Sequence, residues 1–241
     1  MGAAIYHPPF SLVAMSSDVH KTLIKICGLT READVLACVQ AGANAIGFVM
    51  YPPSARYVSP ERAGILAKLL PPDTTPVLLF VNASLEGVQA ACQATPNALI
   101  QFHGDESPAE CERLAKAVNR PYWRAARIPT ENTTSFDLVK FVQDYSNAQA
   151  ILLDAHVEGY GGGGKTFNWL QLPPNVNAHL VLSGGLTPAN VTDGILTLRP
   201  KALSLAVDVS SGVELDGQKG LKDVRKIQEF VAAVKAADAI E

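Results

Sequence analysis

From residue 23 onward the chain alternates short, nearly continuous apolar runs with longer stretches in which apolar positions recur every three or four residues. The runs cover residues 23–26, 45–50, 77–81, 98–102, 122–128, 151–153, 180–182 and 203–207. Runs of this length without a polar alternate read as strands covered on both faces, the pattern of a parallel sheet. The intervening helix starts are marked by a capping hydroxyl before a first-turn proline, in Ser59-Pro60-Glu61, Ser107-Pro108-Ala109-Glu110 and Thr187-Pro188. The second of these is also a capping box. In the last helical stretch Val224, Ile227, Val231 and Val234 form a core-facing stripe, while Lys222, Arg225, Lys226 and Glu229 fall elsewhere. Eight strand-helix units predict an α/β fold, a (β/α)8 TIM barrel in one domain, with an open doubly wound sheet as the structural alternative. The expected organisation is a flexible N-terminal extension over residues 1–20 and a barrel domain over residues 21–241.

Length and charge narrow the function classes. A chain of 241 residues can build one large core. Its formal net charge of -3 gives no electrostatic support for a nucleic-acid partner. No apolar stretch reaches the roughly 18 uninterrupted residues of a membrane span. In the first residues a short apolar run follows Pro8-Pro9 without a preceding Lys or Arg, unlike a secretory signal. Cys27, Cys38, Cys92 and Cys111 are far apart and form no C-x-x-C pair, which argues against zinc and against a disulfide framework. A reducing, cytoplasmic setting is expected, with no metal.

Candidate chemistry gathers where the runs end. Ser183-Gly184-Gly185 and Val209-Ser210-Ser211-Gly212 each break an apolar run into a small-residue turn that exposes backbone N–H groups to an anion. Each alone reads equally as an ordinary strand-to-helix connection. As a pair they fall where barrels of this type often hold phosphate, in the loops after strands 7 and 8. The other run ends carry Cys27, Asn82, Gln101 with His103, Asp154 and Asp208. In a barrel these ends converge on one mouth.

Cys38, Cys92 and Cys111 lie in helical stretches and read as small buried hydrophobes, whereas Cys27 reads as a base or nucleophile whose pKa a nearby lysine or helix N-terminus could lower. Asp154 is a candidate general acid, and equally a cap or a solvated charge. His103 is the histidine with the best position, against a buried structural role; His156 lies on a loop and His179 precedes a strand. Residues 159–166 match G-x-x-x-x-G-K-[ST], yet four residues separate them from the strand and Pro173-Pro174 follow closely. They read as a glycine-rich flap carrying Lys165, not as a nucleotide loop.

The motifs KICGLT, GANAIGFVMYPPSARYV, LLFVNAS, IQFHGDES, ILLDAHVEGYGGGGKTFNW, LSGGLTPANV and AVDVSSGVE, in this order, resemble the phosphoribosylanthranilate isomerase family of tryptophan biosynthesis. The resemblance covers nearly everything from residue 23. It implies a (β/α)8 barrel, monomeric or homodimeric and without a cofactor, that isomerises N-(5-phosphoribosyl)anthranilate. It implies Cys27 as general base, Asp154 as general acid, and Arg56 as partner of the anthranilate carboxylate. Gln101, His103 and Asp208 would line the substrate, and Gly184, Gly185, Ser210, Ser211 and Gly212 would take the phosphate. Asn168 stands where the resemblance has aspartate more usually, and the extension lies outside the pattern. Two rivals are a related phosphosugar isomerase barrel, which would need a lysine-glutamate set or two opposed aspartates, and a non-catalytic phosphosugar-binding barrel.

Overall fold

A computed structural model describes residues 21–130, 136–155 and 166–240. Eight strands, β1 (Leu23–Cys27), β2 (Ala45–Val49), β3 (Thr75–Phe80), β4 (Leu99–Phe102), β5 (Tyr122–Ile128), β6 (Ala150–Ala155), β7 (His179–Leu182) and β8 (Ser204–Val209), close into a barrel in chain order. Every neighbouring pair is parallel, and β1 closes on β8 with Lys25 in register with Asp208. The open-sheet alternative is excluded by that closure.

The apolar runs are continuous because the strands have two dry faces. One face points to the barrel axis, where Leu23, Ala45, Val77, Leu99, Trp123, Leu152, Val181 and Ala206 form a packed floor. The other, with Ile24, Ile26, Ile46, Phe48, Ile100 and Phe102, meets the surrounding helices. Those helices are α1 (Glu32–Ala41), α2 (Pro60–Ala67), α3 (Leu85–Ala94), α4 (Pro108–Val118), α5 (Leu138–Asp144), α6 (Val191–Leu198) and α7 (Val224–Asp238). Side chains alternate along a strand, so the residues two and four places above a floor residue also face the axis. Above Leu23 come Lys25 and Cys27; above Leu99 come Gln101 and His103; above Leu152 comes Asp154; above Ala206 comes Asp208. The sheet is a dry floor that becomes polar toward its C-terminal mouth.

Two helix starts form as their sequence dictates. Ser59 and Ser107 each accept a bond from the backbone N–H three residues on, and each is followed by proline at the first helical position. Thr187-Pro188 behaves differently. The Asn190 side chain accepts from Thr187 N at 2.8 Å and donates to Gly185 O at 3.0 Å, so a turn is closed first and α6 begins only at Val191. In α7 the buried stripe is Ile227, Phe230, Val231, Val234 and Ala237, while Val224 is exposed, because the stripe begins one turn later than its spacing suggests. After β6 the described residues hold a 3-10 turn, Trp169–Gln171, in place of a full helix. Asn168 accepts from Leu170 N at 3.1 Å and so caps that turn as an aspartate would. The extension expected over residues 1–20, His156, and the glycine-rich flap with Lys165 lie outside the described residues.

Candidate active site

Cys27 is the last residue of β1 and is buried. The absence of a side chain at Gly47 on β2 makes room for it: a Cβ there would sit 2.6 Å from the sulfur. Val49, Leu79 and Val81 form an apolar wall beside the thiol, with Tyr51 packed against it. Burial pushes the thiol above its ordinary pKa, Asp208 adds to the rise, and the charges of Lys25 and Lys222 pull it back. The nearby lysine expected to activate it is Lys25, but the net shift is upward. The other three cysteines are buried in helices, with pKa values pushed up to about 12 for Cys38, about 11 for Cys92 and about 12 for Cys111.

Asp154 lies inside β6, buried, one residue before the strand ends. Its Oδ2 is 2.9 Å from His103 Nε2, and His103 Nδ1 is 3.0 Å from Gln101 Nε2. With the Gln101 amide donating, Nδ1 must accept, so the imidazole proton sits on Nε2 and points at the carboxylate. Oδ1 lies over Gly184, whose φ of +77° and approach to the β6 backbone both suit glycine. Gln101 and His103 thus hold the carboxyl from behind while its other oxygen faces the SGG turn. His179 stands at the opposite end of the barrel, at the start of β7, against Ser204 Oγ at 2.8 Å.

The two small-residue turns abut. A methyl on Gly212 would overlap the Leu186 carbonyl, so glycine is what lets the turn after β8 seat against the turn after β7. Ser211 opens a short 3-10 turn, and Ser210 Oγ donates to Cys27 O at 3.0 Å, tying this turn to the end of β1. Backbone N–H groups at such a helical start face a ready anion position.

Arg56, the residue the resemblance pairs with the anthranilate carboxylate, already has a carboxylate partner in the protein. Its Nε and Nη2 donate to Glu214 Oε1 and Oε2 at 2.7 and 2.8 Å, so the side edge of the guanidinium is already used. The end-on edge, Nη1 and the second Nη2 proton, is the one that can meet another carboxylate. Glu214 Oε1 also accepts from Gly220 N at 3.0 Å and from the buried Lys222 ammonium at 3.1 Å. Burial acts to raise the Glu214 pKa, yet bonds and charges from Arg56 and Lys222 outweigh it and hold the carboxyl below its usual range. Lys222 in turn donates to Ser210 O at 3.0 Å, so one buried carboxylate links Arg56 to the turn after β8. Glu214 and Lys222 carry no role in the reading from sequence, and Lys25 is not named there. Lys25 was visible as a charge at an inward strand position, whereas the Glu214 contacts join segments with no local signal. Asn82 is a loop staple: its side chain accepts from Asp105 N at 2.7 Å.

The pattern of the N-(5'phosphoribosyl)anthranilate (PRA) isomerase family matches residues 24–233. The chain belongs to this family. An N-(5'-phosphoribosyl)anthranilate isomerase of Leptothrix cholodnii is 58% identical over 219 residues, covering 91% of this chain and 93% of that one. Among solved structures, the phosphoribosyl anthranilate isomerase of Thermotoga maritima is similar with a TM-score of 0.77 and 37% identity, over 89% of this chain and 99% of that one. A phosphoribosyl anthranilate isomerase in complex with reduced 1-(O-carboxyphenylamino)-1-deoxyribulose 5-phosphate has a TM-score of 0.74 and 34% identity, over the same shares. The isomerase family and its barrel are therefore those the motifs implied. Among the described residues no helix is long and apolar enough to cross a membrane, and no three His, Cys, Asp or Glu side chains converge as metal ligands.

Proposed function

We infer that the chain isomerises N-(5'-phosphoribosyl)anthranilate to 1-(2-carboxyphenylamino)-1-deoxyribulose 5-phosphate, the Amadori step of tryptophan biosynthesis, with Cys27 as general base and Asp154 as general acid. The observation that carries this reading is a thiol on β1 and a carboxyl on β6 at the mouth of one barrel, in a chain of the isomerase family.

The chemistry needs one acid and one base. Asp154 delivers a proton to the ring oxygen, the C1–O bond breaks, and the anilino nitrogen lone pair forms the C=N bond. The iminium acidifies the C2 hydrogen, which Cys27 removes as thiolate; its bonding pair becomes the C1=C2 bond and the nitrogen regains its lone pair. The enolamine then loses its hydroxyl proton and gains one at C1, giving the ketone. No external electron sink takes part. His103 and Gln101 orient the acid, and the free oxygen of Asp208 faces a sugar hydroxyl. The Gly184-Gly185 and Ser210-Ser211-Gly212 backbones hold the phosphate, and the wall of Val49, Leu79, Val81 and Tyr51 holds the aromatic ring. The free edge of Arg56 meets the ring carboxylate. The protein is read as cytoplasmic, as a monomer or homodimer, and as binding this phosphosugar with no nucleic-acid or membrane partner.

Because Arg56 touches the carboxylate and not the reacting carbons, Arg56→Ala is expected to raise KM about tenfold or more while kcat changes little. Glu214→Gln removes an acceptor from Arg56 and should move KM in the same direction by a smaller factor. Steady-state kinetics on the two variants check both. The reading as a whole is tested by following the loss of anthranilate fluorescence when the aminoribosyl phosphate is added to purified protein. A binding-only barrel would leave the fluorescence at its uncatalysed decay.

A further inference from the structure

Lys25 is the least expected side chain in the barrel. It is 0% exposed, one layer below the mouth, so it cannot touch a substrate. An ammonium at this depth is costly without partners. Its Nζ donates to Asp208 Oδ1 at 2.7 Å across the β1–β8 ladder. That ion pair fixes the ammonium on the inward face of β1, two residues below the Cys27 thiol on the same face.

Of the cations whose charge acts on that thiol, Lys25 is the one on its own strand. The groups facing it are Lys25 from β1, Asp208 from β8, and Lys222 from the segment after β8. The β2 neighbours are Gly47 and Val49, and Leu79 of β3 and Val81 just after it complete the wall, so neither strand supplies a charge. Lys222 is bound to Ser210 O and Glu214, and Arg56 is bound to Glu214, so both are balanced elsewhere. A thiolate formed here is largely cut off from water, with a buried ammonium held by Asp208 below it on the same strand face.

We propose that Lys25 is a positioning residue that stabilises the thiolate of Cys27, while Asp208 holds its ammonium against the end of β1. This deepens the assignment of Cys27 as base and rests on it for its catalytic meaning, but not for its test. Upon deprotonation the Cys27 proton leaves to solvent or substrate, and the ammonium stays charged and donates to the sulfur.

The thiol can be titrated without substrate on the whole protein, by thiolate ultraviolet absorbance and by the pH dependence of iodoacetamide alkylation, with Cys27→Ala as blank. Lys25→Met removes the cation. Lys25→Met/Asp208→Asn removes both charges, so that no unpaired carboxylate remains, and it decides the matter if the single variant does not fold. In Lys25→Met the thiol midpoint is expected to rise by about one pH unit or more, an approximately tenfold slower alkylation at a fixed pH below it. The double variant should show a smaller rise, because Asp208 also opposes the thiolate. The rising limb of kcat/KM in any active variant should move with the thiol. An unchanged midpoint in a folded variant overturns the proposal. A shifted midpoint together with full activity of Cys27→Ala sustains the control of the thiol by Lys25 and instead removes Cys27 as base.

Discussion

Replacing Cys27 by alanine is expected to lower kcat by about 10²- to 10⁴-fold with little change in KM, since the thiol meets only the C2 hydrogen. Cys27→Ser should recover little, because a hydroxyl is far harder to ionise than a thiol. The pH dependence carries the same information. Burial pushes the thiol above its ordinary value despite Lys25 and Lys222, and the active form is the deprotonated one. The sign of the base's contribution is therefore fixed: the thiolate fraction adds a limb that rises about tenfold per pH unit up to a midpoint above the usual cysteine pKa, on which the loss of protonated acid at Asp154 is superimposed. In Cys27→Ala that limb should vanish. A fluorescence-based pH-rate profile of both proteins checks the two expectations together, and an unchanged kcat in Cys27→Ala would remove the base.

The second large effect belongs to Asp154. In Asp154→Asn the amide oxygen can still accept from His103 Nε2, now 2.9 Å from the carboxylate, so the fold should lose no more than about 1 kcal/mol. The amide cannot deliver a proton to the ring oxygen, so kcat should fall by about 10²- to 10⁴-fold. Asp154→Ala should be as inactive and also less stable, by about 1–3 kcal/mol, because it strands the buried His103 donor. Urea denaturation beside steady-state kinetics separates the two losses. Activity in Asp154→Asn near that of the parent would mean that the acid is another group.

The barrel was legible because its strands are dry on both faces, which leaves uninterrupted apolar runs that few other folds produce. The runs stop short where function begins. Asp154 and Asp208 end the apolarity of β6 and β8, although the ladders continue to Ala155 and Val209. The same inward alternation that places Gln101, His103, Cys27 and Asp208 at the mouth also turns Lys25 inward one layer below it, so its position could be read while its partners could not. Thr187-Pro188 has the chemistry of a helix start, and only the tertiary turn closed by Asn190 shows why α6 waits three residues. The bond from Arg56 to Glu214 was not legible, because the two lie 158 residues apart, a distance no local pattern spans.

The most direct measurement is a crystal structure of the protein with reduced 1-(2-carboxyphenylamino)-1-deoxyribulose 5-phosphate. It should place C2 of the ligand about 3–4 Å from Cys27 Sγ, with Asp154 Oδ1 on the side of the former ring oxygen. The phosphate should lie on the backbone of Gly184-Gly185 and Ser210-Ser211-Gly212, and the carboxylate on the outer edge of Arg56. A ligand whose phosphate sits away from both turns, or whose C1 and C2 lie out of reach of the thiol and the carboxyl, would contradict the account.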